Sequence, residues 1–255
     1  MLLAIDVGNT NISIGLIKGQ DIVRRFRVTT DVNRTSDEYG IILLGLLSSA
    51  GYKPRDIKAA IVSSVVSGLD KALKYAVADY IGVRALFVGV DVDAPIVVLT
   101  ENPREVGIDR LVNAVAASVI HKTALIVVDL GTATTFDYIT DDGAFAGGAI
   151  APGIAISIEA LNLKAPRLPL ADISMPDRVV GRNTIEALRA GIYWGYAGLV
   201  DTVVDRMKVE LKSNPPVLAT GGNARLIRDA ARSITEIDED LTLKGLKIIH
   251  EGMRY

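Results

Sequence analysis

The chain opens on an apolar run, LLAIDV (residues 2–7), that breaks at the polar stretch Gly8-Asn9-Thr10-Asn11. Six apolar-dominated residues followed by a glycine turn predict a buried strand rather than a helix. From residue 11 to residue 30, NISIGLIKGQDIVRRFRVTT alternates around Gly19 and predicts a hairpin. The pattern then lengthens: TSDEYGIILLGLLSSAG predicts a helix capped at Thr35 or Ser36 and ending near Gly51. IKAAIVSSVV (57–66) predicts a strand running into a loop, SGLDKALKYAVADYIG a helix, and RALFVGV a strand. Residues 110–121, RLVNAVAASVIH, carry apolar positions at helical spacing. Beyond them NTIEALRAGIYWGYAGLVDTVVDRMKVEL predicts one long helix, and PPVLATGGNARLI a strand, a double glycine and a helix start. Alternating strands and helices of this kind define an α/β fold.

The opening pattern occurs twice. LAIDVGNTN (3–11) returns in weaker form as IVVDLGTAT (126–134), which sets Asp6 against Asp129 and Gly8 against Gly131, 123 residues apart. Each copy leads into a hairpin, the second turning at Asp141-Asp142-Gly143. A repeat that opens both halves predicts a duplicated domain, with boundaries at 1–118 and 119–255.

Composition narrows the function. The chain is 49% hydrophobic and 23% charged, with 28 basic and 30 acidic residues mixed along it and a net charge of −2. That suits a folded globular protein and offers no basic face for nucleic acid. There are no cysteines, which excludes thiolate metal sites and cysteine nucleophiles, and the histidines number two, His121 and His250. No basic leader precedes the first apolar run, and no stretch approaches the ~20 apolar residues of a membrane span, so a cytoplasmic location is expected. The acidic cluster Glu236, Asp238, Glu239 and Asp240 reads as a solvated loop, and the stretch after residue 235 carries no functional signal.

Candidate chemistry lies in the polar loops. A glycine between a strand tip and a polar loop lets backbone N–H groups approach an anion, and Asn9, Thr10 and Asn11 add side-chain donors. A carboxylate such as Asp6 repels bare phosphate, so its chemical use is to hold a cation or its waters; Mg²⁺ takes one or two carboxylates with water and phosphate oxygens. Alone, each copy reads as a turn; together they read as a divalent-metal nucleotide site. Gly221 and Gly222, between a strand and a helix in ATGGNA (219–224), are placed for close approach to a nucleotide or for a tight turn. No GxxxxGK[ST] is present, so this is not a P-loop protein, and no GxGxxG follows a strand. In ENPREVGIDR (101–110), Asp109 reads either as the N-cap of the following helix or as a base for a substrate hydroxyl, and Arg110 suits an acidic substrate. GGAIAPG (147–153) offers further close backbone approach. In the long helix Asn183 or Thr184 falls at the cap, and Gly191, Gly195 and Gly198 share one face that reads as core or, alternatively, as a subunit interface.

The ordered set DVGNTN, NPREVGIDR, DLGTATTFD, GGAIAPG, LPL, GRNT and TGGNA, running to about residue 225, resembles the type III pantothenate kinases. The resemblance implies two duplicated ribonuclease-H-like (actin-like ATPase) domains, mixed sheets flanked by helices, with nucleotide in the cleft between them. It implies transfer of the ATP γ-phosphoryl group to pantothenate, giving 4′-phosphopantothenate, the first step towards coenzyme A. Asp6 would lie near Mg²⁺ through water, and Val7, Gly8, Asn9, Thr10, Asn11, Thr132, Gly221 and Gly222 would line the ATP phosphates. Asp109 would be the general base, with Gly107, Ile108, Arg110 and Thr184 at pantothenate, and Asp129 would bind a monovalent cation, K⁺ or NH₄⁺. The family pattern also implies a homodimer. One position departs from it: members often carry a substrate-touching tyrosine two residues before Asn-Pro, where this chain has Thr100. That departure leaves a kinase of a related hydroxy acid as the alternative enzyme; the resemblance itself also implies an alternative without catalysis, an accessory regulator of transcription acting through a protein partner.

Overall fold

A computed structural model describes residues 1–169 and 172–253. Leu170, the last residue of the LPL motif, and Ala171 lie outside the described residues. The chain folds into two compact units, one holding residues 1–96, 102–116 and the residues from Leu241 onward, the other residues 97–101 and 117–240.

The first unit is built on strands β1 (Leu2–Val7), β2 (Asn11–Lys18), β3 (Asp21–Thr29), β4 (Ala59–Ser64) and β5 (Ala85–Phe87), ordered β3-β2-β1-β4-β5. The hairpin strands run antiparallel and the last two run parallel to β1. Alternation along β1 feeds two cores, because successive side chains leave opposite faces. Leu3, Ile5 and Val7 pack with Tyr39, Leu43 and Leu47 of α1 (Ser36–Ser49) and Leu69 and Leu73 of α2 (Ser67–Ala76). Leu2 and Ala4 pack with Val112 and Val115 of α3 (Ile108–His121) and Leu243, Leu246 and Ile249 of the C-terminal helix. Helix α1 starts at a capping box in which Thr35 accepts from the Glu38 N–H and Glu38 accepts from the Thr35 N–H. Helix α2 relaxes into a π turn, Val77–Ile81, before left-handed Gly82.

The second unit repeats the plan with β6 (Leu125–Leu130), β7 (Ala133–Ile139), β8 (Phe145–Pro152), β9 (Val217–Thr220) and β10 (Glu236–Ile237), read from the hairpin edge as β8-β7-β6-β9-β10. Strand for strand the order and directions match the first sheet. Helices α4 (Ile154–Lys164), α5 (Thr184–Leu211) and α6 (Ala224–Arg228) follow, and Ile126, Val128 and Leu130 of β6 pack against Tyr193, Val200 and Val204 of α5.

The last helix, α7 (Leu241–Gly252), departs from the expectation of a second domain reaching residue 255. It returns to the first unit because its apolar stripe completes the core on the α3 side of the sheet. Thr242 donates to Asn113 Oδ1 at 2.7 Å, and Lys247 donates to Gln20 Oε1 at 2.6 Å. The acidic cluster before it is partly strand: Glu236 lies in β10, and Asp238 turns the chain by accepting from the Asp240 N–H at 3.0 Å. Among the described residues no helix is long and apolar enough to cross a membrane.

Candidate active site

In the first unit the Asp6 loop closes the β1–β2 hairpin. Gly8 N–H donates to the Asn11 carbonyl at 3.0 Å, and Asn11 begins β2. Thr30 holds the loop from outside: its Oγ1 donates to the Gly8 carbonyl at 2.6 Å and its N–H to the Thr10 carbonyl at 3.0 Å. Thr30 escaped the sequence reading, although the doubled threonine closing the hairpin is a visible signal. The Val7 side chain is fully buried in the core and its carbonyl accepts from the Val65 N–H. Asn9 and Thr10 are exposed at the tip. Asp6 leaves the same face of β1 as Leu2 and Ala4, the face that α3 covers.

Asp109 lies in the first turn of that helix. The sequence offered it as the N-cap; instead α3 begins at Ile108, and the Gly107 carbonyl accepts from the N–H groups of Arg110 and Leu111 at 3.1 and 3.2 Å. With glycine supplying the turn, the Asp109 carboxylate sits inside the helix, accepting from the Arg110 N–H at 2.9 Å. Gly107 makes this arrangement possible: a Cβ there would stand 2.6 Å from Asp109 Oδ1. Burial raises the Asp109 pKa above its ordinary value, against the lowering effects of the Arg110 N–H hydrogen bond and the Arg110 charge. A carboxylate whose proton affinity is lifted, held on a helix N-terminus, is suited to accept a proton from a hydroxyl. Ile108 packs into the core on the same side of the sheet.

In the second unit three glycine-bearing motifs meet. Gly131 N–H donates to the Ala133 carbonyl at 3.1 Å, and Gly153 N–H donates to the Thr132 carbonyl at 3.1 Å, joining the Pro152-Gly153 turn to the Asp129 loop. Asn223 closes the third side, its N–H and Nδ2 both reaching the Leu130 carbonyl at 3.2 Å. Gly221, at φ +88°, passes so close that a Cβ would stand 2.4 Å from Asp129 Oδ1. Asp129, Thr132, Gly221 and Gly222 thus share one cluster, to which Gly153, at the end of the GGAIAPG motif, also belongs, as does Asn223, which the sequence does not single out. Gly147 and Gly148 lie within β8, not in a loop; a Cβ on Gly148 would overlap the Phe136 carbonyl of the neighbouring strand.

Thr184 stands elsewhere in this unit, at the exposed first turn of α5. Asn183, not Thr184, is the cap: its Oδ1 accepts from the Glu186 N–H at 2.9 Å, leaving the Thr184 side chain outside the cap. Gly191, Gly195 and Gly198 are exposed, with nothing within 4 Å of the Cβ positions, so their face is not core. The buried stripe of α5 runs instead through Ala190, Tyr193, Tyr196, Ala197, Val200 and Val204. Thr100, on the short segment beside β8, has a shielded Oγ1 with no hydrogen-bond partner among the described residues.

Among the described residues no three His, Cys, Asp or Glu side chains cluster as a metal cage. Each unit instead carries one carboxylate near the end of its central strand, Asp6 in β1 and Asp129 in β6. A single carboxylate of this kind fits a hard cation that keeps waters and shares phosphate oxygens.

The family model described as Type III pantothenate kinase matches residues 2–206. Proteins named Type III pantothenate kinase from Pelobacter propionicus and Geobacter sulfurreducens are 49% and 50% identical over 254 residues, covering 100% of this chain and of each relative. The fold matches that of a ROK family glucokinase from Streptomyces griseus, solved with glucose and AMPPNP, at a TM-score of 0.54 and 13% identity over 98% of this chain and 99% of that one. The duplicated mixed sheets are those of the actin-like ATPase fold.

Proposed function

Because the chain belongs to the type III pantothenate kinase family, and is therefore a phosphotransferase that uses ATP to phosphorylate pantothenate, we propose how its residues divide that work. Asp109 is the general base. It accepts the proton of the pantothenate hydroxyl as that oxygen bonds to the γ-phosphorus of ATP; the bond from phosphorus to the β,γ-bridging oxygen breaks and ADP leaves. The observation that carries this assignment is the Asp109 carboxylate itself, held by the Arg110 N–H in the space that Gly107 leaves open, with burial lifting its proton affinity. Phosphoryl transfer passes through a loose transition state, so orienting the hydroxyl matters more than base strength. Gly107, Ile108, Arg110 and Thr184 serve pantothenate, Arg110 by pairing with its carboxylate.

The Gly8–Asn11 loop and the cluster of Thr132, Gly221 and Gly222 hold the triphosphate through backbone N–H groups and short polar side chains. Asp6 holds Mg²⁺ through water, and Asp129 holds K⁺ or NH₄⁺; such cations neutralise phosphate charge as it develops. The exposed glycine face of α5, with Trp194 at its edge, is the surface through which two copies form a homodimer. A cytoplasmic location belongs to the same proposal.

Incubation of the protein with pantothenate, ATP, Mg²⁺ and K⁺ tests the assignment. Mass spectrometry should detect 4′-phosphopantothenate, and Asp109→Asn should lose turnover by at least ~10²-fold with ATP binding retained. An active Asp109→Asn would overturn the assignment of the base.

A further inference from the structure

Asp6 does not stand alone at the tip of β1. Its register partners are Ser13 on β2 and Ser63 on β4, so their side chains leave the same face of the sheet. The second sheet repeats the arrangement: Asp129 is paired with Thr135 on β7 and Thr220 on β9. In each unit a carboxylate on the central strand is flanked on both sides by hydroxyls, although the duplicated halves have otherwise diverged in sequence.

Ser63 is the unusual member. It is completely buried, yet its Oγ has no hydrogen-bond partner among the described residues. Buried hydroxyls are ordinarily satisfied, and one left alone works against the fold. The next residue supplies the contrast. Ser64 Oγ donates to Asp70 Oδ1 at 2.5 Å and accepts from the Val66 N–H at 3.3 Å, so it shapes the start of α2. Local structure therefore accounts for Ser64 and gives Ser63 nothing to do.

We propose that Ser63 Oγ is a positioning group for the hydrated divalent cation at Asp6, accepting a hydrogen bond from a water that the Asp6 carboxylate also orients. The proposal rests on the reading of Asp6 as the metal-side carboxylate. One carboxylate with flanking hydroxyls is too weak to strip a small divalent cation of water, and suits a cation bound through its waters. A hydroxyl that gains its hydrogen bond only when the ligand binds adds that bond to ligand affinity rather than to folding.

Ser63→Ala in the full chain tests this, with Ser64→Ala as the contrast. Calorimetric titration with ATP, in Mg²⁺ and in EDTA, gives the factor by which the metal strengthens ATP binding, and thermal unfolding without ligand gives Tm. Ser63→Ala should leave Tm unchanged or raised, leave ATP affinity in EDTA unchanged, and shrink the Mg²⁺ enhancement by roughly 3- to 10-fold. Ser64→Ala should lower Tm and keep the full enhancement. An undiminished enhancement in Ser63→Ala would overturn the proposal while leaving the Asp6 reading intact. So would a lowered Tm with ATP affinity falling equally in Mg²⁺ and EDTA, which would mark Ser63 as structural. A wild-type protein whose ATP binding ignores Mg²⁺ would overturn the Asp6 reading and the proposal with it.

Discussion

Replacing Gly107 by alanine probes the base without touching it. The new Cβ would stand 2.6 Å from Asp109 Oδ1, where ordinary contact begins at 3.4 Å, so the carboxylate must move by about 0.8 Å or rotate away. Either response strains or breaks the 2.9 Å hydrogen bond from the Arg110 N–H. The backbone at Gly107 is not in the left-handed region, so alanine is tolerated there and the helix start survives. A displacement near 1 Å in a reacting group costs on the order of 10²-fold in rate. Steady-state kinetics of Gly107→Ala should therefore show kcat down by roughly 10- to 100-fold, KM for ATP within about twofold, and Tm within a few degrees of wild type. In an Asp109→Asn background the same substitution should cost little more, because the group it displaces no longer acts as a base. Wild-type kcat in Gly107→Ala would refute the argument, and so would a full additional loss in the double variant.

Asp109 also links activity to stability. Because its folded pKa is raised by burial, the stabilisation from its protonated form is present below the unfolded pKa and is lost as pH rises through the folded one. At neutral pH its charge therefore works against the fold. Unfolding scans should find Asp109→Asn at least as stable as wild type at pH 7, with the gap closing as pH falls, and the acid limb of the wild-type kcat profile should lie above that of an exposed aspartate. Gly221→Ala must place a side chain at φ +88° and 2.4 Å from Asp129 Oδ1. It should lower stability by about 1 kcal/mol or more and reduce activation by K⁺, both read from Tm and a K⁺ titration of rate. Asn183→Ala should cost about 1 kcal/mol through the lost cap, whereas Thr184→Ala should spare Tm and raise KM for pantothenate.

The duplication is legible because Asp-x-Gly at a strand end is a local pattern, and so are the cap at Thr35, one of two that the sequence offers, and the turns at Gly19 and Gly143. Helix α4 was not, since isoleucines at 154, 156 and 158 alternate like a strand. Helix α7 was hidden by the acidic run before it and by a destination almost the whole chain away. The candidate site divides along the same line. Its glycines and carboxylates announce themselves in sequence, but their neighbours depend on strand register. Nothing near Ser63 in the chain says that it stands beside Asp6, or near Asn223 that it grips Leu130.

The most direct measurement is the formation of 4′-phosphopantothenate from pantothenate and ATP with Mg²⁺, followed by mass spectrometry with and without K⁺ in wild type and Asp109→Asn. Wild type should form product, more of it with K⁺, and the variant should lose at least ~10²-fold. Wild-type protein that forms no product with both cations present would contradict the kinase assignment.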